Sequence, residues 1–366
     1  MNIAILSKLY PSNENLYGGM YVHARAREYK KLGHTCNVYK LNKNKKDYRE
    51  YKFENIQVYE GNKYFLKEKM NKNAFDIIAL HAPSPDEKYF ILKNFSNSKV
   101  ICWMHGHDSL SGAFTYFYTG SKFLYPLKFL LRLKEDIKKI VSWREFIKHF
   151  NPKVIVVSHW MKKEAESFLK LNLDNTIMIP NLVDEDIFKF KQRKGKIKKI
   201  LCLRSHSSKK FALDIVIKAF SNSKFQLDLY GIGKNIGENK KLAKLVNANV
   251  VFIEKLFEHN EIIDMFDSYD LAVMPTRLDS QGVLVCEMNM AGLPVITSDI
   301  LGNKEYETRG TIRLDNTNFK IEDRIEDINK NNKLEEMSKY AHIDMLNIAS
   351  KNITIPKEIM EMRKLI

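Results

Sequence analysis

The sequence is poor in the features that mark secreted, zinc-binding and membrane-spanning proteins. Its 366 residues include only four cysteines, and these are too far apart to form a C-x-x-C pair: Cys36, Cys102, Cys202 and Cys286. This spacing argues against a zinc ribbon or a disulfide scaffold and is typical of the reducing cytosol. No apolar run approaches the roughly 18–20 residues of a spanning helix, and the first ten residues lack the layout of a signal peptide. We therefore expect a cytoplasmic protein that does not cross a membrane.

Negative charge is also in short supply. Sixty Lys and Arg residues face forty-four Asp and Glu residues, which leaves a formal net charge of +16. Residues 1–188 carry 30 basic and 20 acidic side chains, so most of the excess lies in the first half. Such an excess indicates a polyanionic partner. No helix-turn-helix, RRM or zinc motif accompanies it, so nucleic-acid binding is an alternative interpretation and not the favoured one.

Short apolar segments alternate with helical stretches, and this pattern occurs twice along the chain. Strands rich in Val, Ile and Leu between helices are typical of parallel sheets buried on both faces, so we predict an α/β protein with two doubly wound domains. The predicted division is a first domain at 1–188, a lysine-rich linker at 189–199, a second domain at 200–340, and a helical segment at 341–366 that packs back toward the first domain.

The first half contains a glycine pair and several histidines at predicted loop positions. Gly18 and Gly19 stand between the first strand and a helix, where backbone can approach a ligand. A plain turn is the alternative, and the absence of a full G-x-G-x-x-G motif counts against a dinucleotide-dependent dehydrogenase. His81 and the segment His105-Gly-His-Asp108 follow strands, where open α/β sheets bind ligands. Structural histidines are the alternative, and metal binding is less expected because no third ligand is near in sequence.

Residues 121–150 combine apolar and aromatic residues with eight Lys or Arg and three Asp or Glu. This mixture is typical of helices that lie in the interface of an anionic bilayer. An ordinary amphipathic helix packed on its own sheet is the alternative interpretation.

The most informative segment is 270–297. A strand ends at Pro275, a polar loop leads to Gly282, and a short helix follows in which nearly every residue is apolar or small. Glu287 is the exception, and a carboxylate in such surroundings needs donors such as a pair of ligand hydroxyls. The amides of Gly282 and Val283 at the start of this helix suit a phosphate. Together these features predict a nucleotide site.

Asp279-x7-Glu287 followed by Ala291-Gly-Leu-Pro294 resembles the E-x7-E signature of retaining glycosyltransferases of family 4, the glycosyl transferases group 1. The resemblance covers most of the chain and extends to further segments: Val154–Ser158, Ile179–Asp184, Arg204 with Lys209 and Lys210, Leu229–Gly233, Gly302–Glu305, Gly18-Gly19 and His105–Asp108. It implies the GT-B fold, in which two Rossmann-like domains face a cleft. Asp279 stands where this family usually has glutamate.

The resemblance also implies a role for each matching residue. The residues that would contact the donor or the reacting sugar are Arg204 and Lys209 or Lys210 at the diphosphate, Glu287 at the ribose hydroxyls, Asp279 and His105 at the transferred sugar, and Gly18, Gly19, Gly231, Gly282 and Val283 as donor-binding backbone positions. His81 and Asp108 would lie on the acceptor side.

The resemblance implies a retaining hexosyltransferase that uses a UDP- or GDP-sugar, and we expect it to need no metal or other cofactor. A basic first domain favours a lipid-linked glycan acceptor of bacterial capsule or lipopolysaccharide assembly, with peripheral contact of residues 121–150 on the inner face of the cytoplasmic membrane. The alternatives are a sugar-nucleotide 2-epimerase of the same fold and a non-catalytic protein with a degenerate site. No motif specifies the sugar or the base.

Overall fold

The computed structural model describes residues 1–15, 18–42, 48–119, 125–255, 257 and 259–366. The chain forms two compact units. Unit 1 contains Met1–Phe114, Pro126–Leu182 and the C-terminal segment Lys351–Ile366. Unit 2 contains Val183–Ser350 and, among the described residues, 115–119 and Tyr125. The first unit therefore ends before the predicted residue 188. The predicted linker at 189–199 lies within unit 2, where Arg193 and Ile197 are buried.

Each unit is built on its own sheet. The strands of unit 1 are β1 Asn2–Ser7, β2 Thr35–Leu41, β3 Arg49–Phe53, β4 Ile56–Gly61, β5 Ile77–His81, β6 Val100–Met104, β7 Lys153–Val156 and β8 Thr176–Met178, in the order β3-β4-β2-β1-β5-β6-β7-β8. Those of unit 2 are β9 Ile200–Leu203, β10 Leu227–Tyr230, β11 Val250–Ile253, β12 Leu271–Met274, β13 Val295–Ser298 and β14 Thr311–Leu314, in the order β11-β10-β9-β12-β13-β14. All pairings are parallel except β3 with β4. The predicted fold class is confirmed.

The helices connect these strands as the alternating pattern predicted. Their bounds are α1 Met20–Lys31, α2 Lys63–Lys72, α3 Pro85–Asn94, α4 Gly112–Thr119, α5 Tyr125–Phe150, α6 His159–Leu169, α7 Leu213–Ala219, α8 Ile236–Leu245, α9 His259–Asp267, α10 Val283–Met290, α11 Leu301–Lys304, α12 Glu322–Lys330, α13 Leu334–Ala349 and α14 Lys351–Arg363. Among the described residues, no helix has the length and apolar character needed to span a bilayer.

The hairpin β3–β4 is the part of unit 1 that the sequence patterns missed. Strand β3 is mostly exposed and carries Arg, Glu and Lys, so it lacks the apolar run that marks a buried strand. Its turn has Glu54 and Asn55 at positive φ (42° and 65°), a conformation for which asparagine is one of the more tolerant residues. The hairpin extends the edge of the sheet beyond β2.

The C-terminal helix α14 is fixed to unit 1 through one buried carboxylate. Glu358 accepts hydrogen bonds from the Arg25 Nε at 2.8 Å, from the Tyr29 hydroxyl at 2.5 Å and from the Trp103 indole at 3.0 Å. Both side chains of the Arg25–Glu358 ion pair are fully buried. A buried pair of this kind is held by its geometry, because removal of one partner leaves an uncompensated charge in apolar surroundings.

We expect Glu358→Gln to lower the free energy of unfolding of unit 1 by about 3 kcal/mol, the cost of leaving one buried charge unpaired. All three tryptophans, Trp103, Trp143 and Trp160, lie in unit 1, so tryptophan fluorescence during urea unfolding reports on this unit. Glu68→Gln is the control, because Glu68 forms an exposed pair with Lys72 on α2 and its loss should have no measurable effect. Equal unfolding curves for the two variants would contradict this role of Glu358.

Candidate active-site residues in the two units

The sheet of unit 2 changes direction next to β9. The chain builds β10 and β11 on one side of β9 and then places β12, β13 and β14 on the other. The carboxyl ends of β9 and β12 therefore flank the point where the strand order reverses, which is where open α/β sheets bind ligands. The loops that follow these two strands carry Arg204 and Asp279.

Arg204 directly follows β9 and keeps a charged donor in buried surroundings. Its side chain is 7% exposed, its Nη2 donates to the Met274 carbonyl at 3.3 Å, and its Nε has no hydrogen-bond partner among the described residues. Burial lowers the pKa of Arg204, and the Asp279 carboxylate acts in the opposite direction. An arginine remains charged under these conditions. Arg204 therefore offers a fixed cation to an anionic ligand.

The two lysines that the sequence left equivalent have different surroundings. They lie in a short 3-10 helix, Lys209–Phe211, whose first turn is capped by the Ser208 hydroxyl. The Lys210 Nζ is 3.8 Å from Asp279 Oδ1, whereas the Lys209 side chain is exposed. The geometry favours Lys210 as the lysine that shares a site with Asp279.

Arg277 holds this turn against the loop after β12. Its backbone N–H donates to the Lys210 carbonyl at 2.7 Å, and its Nη1 donates to the Lys209 carbonyl at 2.7 Å. Its guanidinium also forms a two-pronged ion pair with Asp214, at 2.9 and 2.7 Å. Arg277 thus has a structural role: it holds the turn that carries Lys210 next to the loop that carries Asp279.

Close backbone approaches explain two glycines around these loops. A Cβ on Gly302 would lie 1.9 Å from the Asp279 carbonyl, and a Cβ on Gly231, whose φ is 144°, would lie 2.0 Å from the Arg204 carbonyl. Only glycine permits contacts of this kind. Gly231, which the sequence assigned to donor binding, therefore packs against the loop that carries Arg204.

His206 lies in this same loop and was not singled out by the sequence patterns. It is buried, and its Nε2 has no partner among the described residues.

The short helix α10 places two predicted donor-binding features near its start. Gly282 precedes the helix with φ at 30°, and the carbonyl of Gly282 accepts the N–H groups of Val285 and Cys286. The first N–H groups of a helix have no acceptor within the helix. The amides of Gly282 and Val283 are therefore positioned to bind an anion, as the helix dipole also favours.

Glu287 lies one turn further along α10. The structure gives its carboxylate no hydrogen bond or ion pair among the described residues, and burial raises its pKa to about 8. An unpaired carboxyl in apolar surroundings costs stability unless a ligand supplies donors. The apolar residues next to Glu287 in the sequence explain why its carboxylate has no polar partner on α10.

In unit 1, Gly19 makes the tight turn that begins α1. Its φ is 77°, and a Cβ at this position would lie 2.2 Å from the Leu9 carbonyl. Gly18 precedes it and is partly exposed, with its N–H bonded to Asn15 Oδ1 at 3.1 Å. The glycine pair thus brings the start of α1 against the loop that follows β1.

The two predicted histidines of unit 1 lie side by side. His81 Nδ1 is 3.4 Å from His105 Nε2, and the His81 ring stacks on Trp103 with the ring centres 4.3 Å apart. Burial lowers the pKa of both histidines well below the usual range, and the Arg25 charge adds to the effect. Both rings are therefore neutral at neutral pH. His81 is fully buried and lies behind His105, so its predicted acceptor-side contact would have to act through His105.

Asp108 closes the loop that follows β6. Its Oδ1 accepts the His105 backbone N–H at 3.0 Å, and its Oδ2 is buried with no partner among the described residues. Burial raises the pKa of this carboxyl, and the hydrogen bond from His105 opposes the shift. Asp108 was predicted on the acceptor side, and its contacts in the structure hold His105 in place.

Two family models match the chain, one for each unit. The model described as Glycosyltransferase Family 4 matches residues 18–187, and the model described as Glycosyl transferases group 1 matches residues 183–344. No curated protein was found to match the chain in sequence.

Solved structures share the fold over the whole chain at low identity. Sucrose-phosphate synthase from Thermosynechococcus elongatus is 14% identical with a TM-score of 0.73, over 100% of this chain and 98% of that one. Anabaena HepE, solved in complex with UDP-glucose, is 12% identical with a TM-score of 0.72, over 100% of both chains. An S. aureus TarM variant, solved with Fondaparinux, alpha-GlcNAc-glycerol and UDP, is 12% identical with a TM-score of 0.70, over 99% of both. These similarities establish the GT-B fold.

The raised pKa of Glu287 predicts a stability effect that depends on pH. In the unfolded chain this carboxyl titrates near its ordinary value of 4.5, and in the native state it titrates at about 8. Between these values the native state binds more protons, so its stability falls as pH rises. Glu287→Gln removes this penalty, and we expect the variant to melt several degrees above the wild type at pH 8 and at the same temperature near pH 4.

The measurement is the unfolding midpoint as a function of pH for both proteins without ligand. Glu238→Gln, which changes an exposed carboxylate of unit 2, serves as the control and should follow the wild type at every pH. A constant difference between Glu287→Gln and the wild type across this range would show that the pKa of Glu287 is not raised in the native state.

Proposed function

We propose that this chain, which belongs to the group 1 glycosyltransferases of GT-B fold, transfers a sugar from a UDP- or GDP-sugar to a glycan acceptor. The observation that carries the proposal is the set of charged groups around the switch point of unit 2. The Arg204 Nε and the Glu287 carboxylate have no partners among the described residues, and Lys210 lies 3.8 Å from Asp279. Two similar structures, one solved with UDP-glucose and one with UDP, support a nucleotide-sugar donor.

The proposed mechanism assigns the cations to the leaving group. As the bond between the sugar and the donor breaks, negative charge grows on the departing diphosphate, and fixed cations stabilise it most in surroundings that exclude water. Arg204, Lys210 and the amides of Gly282 and Val283 would bind this diphosphate. Because these groups can neutralise the developing charge, we propose that the reaction proceeds without a metal ion.

Two carboxylates would position the donor. The Glu287 carboxylate would accept hydrogen bonds from the ribose hydroxyls, and Asp279 would contact the transferred sugar. We propose retention of configuration from the family signature: the acceptor oxygen bonds to the anomeric carbon on the face from which the diphosphate leaves, and the acceptor proton passes to the departing phosphate. A product with inverted configuration would contradict this assignment.

We further propose a lipid-linked acceptor in bacterial surface polysaccharide assembly, with the protein on the cytoplasmic face of the membrane. One exposed stripe of α5 supports membrane contact: Leu130, Leu133, Ile137 and Val141 recur at helical spacing and are 40–65% exposed. Lys134 and Lys138 flank this stripe, as expected for a helix that rests on an anionic bilayer. Residues 121–124 of the predicted segment lie outside the described residues.

The membrane proposal is tested by flotation with anionic liposomes. Ile137→Glu should abolish flotation, while Leu245→Glu, at an exposed leucine of unit 2, should leave it unchanged. Equal flotation of both variants would contradict a role for the α5 stripe.

Arg204→Ala should lower kcat by about 10²–10³, because the interaction of Arg204 with the diphosphate strengthens as the leaving group gains charge. Lys210→Ala should also lower kcat, whereas Lys209→Ala serves as its matched neighbour and should have much less effect. The measurement is transfer from whichever nucleotide sugar the wild type uses, with folding checked by the unfolding midpoint. A folded Arg204→Ala protein with near-normal turnover would refute the assignment.

A further inference from the structure

Four basic residues of unit 1 lie on α5 or after β1 and β6, and the charges of three of them act on the fourth, His107. Lys8 follows β1, His107 follows β6, and Arg132 and Lys139 come from α5. We call these four residues the cation cluster. None of them belongs to the donor residues described in unit 2.

Contacts around Gly112 show that the two α5 side chains converge. A Cβ on Gly112 would lie 3.7 Å from Arg132 Nη1 and 3.8 Å from Lys139 Nζ. The Lys139 Nζ donates to the Leu110 carbonyl at 3.0 Å, and the Arg132 Nη1 donates to the Gly112 carbonyl at 3.4 Å. Both cations are thus anchored to the backbone between β6 and α4.

The carboxylates close to the cation cluster are Asp136, Asp108 and Glu87, and they offset only part of its charge. Asp136 lies 3.6 Å from the Lys139 Nζ, but its two oxygens accept the Ser111 hydroxyl at 2.7 Å and the backbone N–H groups of Gly112 and Ala113 at 2.8 and 3.1 Å. These bonds hold the start of α4. Asp108 is buried and accepts the His105 N–H. A surplus of positive charge therefore remains.

His107 experiences the field of the whole cluster. Although His107 is exposed as a whole, partial desolvation of its ring lowers its pKa, and the charges of Lys139, Lys8 and Arg132 lower it further. Burial also lowers the pKa of Lys139, against the opposing effect of Asp136. Lys8 and His107 have no hydrogen-bond or ion-pair partner among the described residues, and both are exposed. Like charges held together in this way are stabilised when an anion binds between them.

The cluster also lies at the edge of the sheet where a ligand is expected. The chain places β2 on one side of β1 and β5 on the other, so the strand order reverses next to β1. Lys8 and His107 both stand at the carboxyl ends of their strands, and His107 is two residues from His105. A ligand at this switch point would be within reach of both the cluster and the His105 loop.

We propose that Lys8, His107, Arg132 and Lys139 bind a phosphate or diphosphate group carried by the acceptor. The proposal rests on the proposed function for the identity of this ligand as the acceptor. Phosphate suits the cluster because its oxygens accept several charge-assisted hydrogen bonds at once, from the planar Arg132 guanidinium and from the two lysines. The acceptor would then be oriented by its phosphate, with its reacting hydroxyl next to His105.

The test follows the His107 imidazole of the full chain by NMR while inorganic phosphate is added. The signal is assigned by comparison with His107→Gln. A bound anion favours the protonated imidazole, so phosphate should raise the pKa of His107. Lys8→Gln should weaken phosphate binding about three- to tenfold through the loss of one nearby charge. Because the Lys8 side chain makes no bonds in the described structure, this change should not disturb folding.

Lys148→Gln is the matched control, since Lys148 is an exposed lysine of α5 outside the cluster, and it should bind phosphate like the wild type. No response of His107 to phosphate, or equal binding by Lys8→Gln and the wild type, would overturn the proposal. Vesicles containing phosphatidic acid distinguish the source of the phosphate. A stronger response of His107 to these vesicles than to inorganic phosphate assigns the group to a lipid, and a weaker one assigns it to a soluble acceptor.

This experiment is independent of donor binding. A response of His107 in a protein that binds no nucleotide sugar would retain the anion site and reject the proposed function. Nucleotide-sugar binding without any response of His107 would support the proposed function and reject the anion site.

Discussion

Unit 2 holds charged groups in largely apolar surroundings without pairing them fully. Arg204 is buried with one donor that has no partner among the described residues, and Glu287 is a carboxyl whose pKa burial raises to about 8. Both arrangements cost stability, because a buried charge without partners loses its hydration. A fold keeps such groups where a ligand completes their bonding. Gly231 packs against the loop that carries Arg204, and Arg277, paired with Asp214, holds the turn that carries Lys210.

Unit 1 shows the opposite treatment of a buried charge. Glu358 is fully buried, whereas Glu287 is only partly buried, and Arg25, Tyr29 and Trp103 satisfy the oxygens of Glu358. These contacts continue to His105. Trp103, which donates to Glu358, stacks on His81, and His81 contacts His105. Helix α14 thus supports the position of His105 from a distance of some 250 residues along the chain. The contrast with Glu287 separates a structural carboxylate from one that is available to a ligand.

Local patterns in the sequence predicted much of this arrangement, and long-range contacts account for the remainder. The lack of a charged partner for Glu287 could be predicted, because the other residues of α10 are apolar or small except Asn289. The choice between Lys209 and Lys210 could not, since it depends on a single 3-10 turn and on Arg277 from another loop. Likewise, His81 was predicted at a strand end, but its burial behind His105 follows from packing against Trp103. The Arg25–Glu358 pair joins residues 333 positions apart and leaves no local signal.

The central claim is that unit 2 binds a nucleotide sugar through Glu287 and its neighbours. Its most direct test is the thermal unfolding midpoint of the wild type and of Glu287→Gln against a panel of UDP- and GDP-sugars, since a ligand that binds the native state raises the midpoint by mass action. We predict that at least one nucleotide sugar stabilises the wild type and that Glu287→Gln, while folded, loses most of this stabilisation. The absence of stabilisation by every nucleotide sugar, or equal stabilisation of both proteins, would contradict the account.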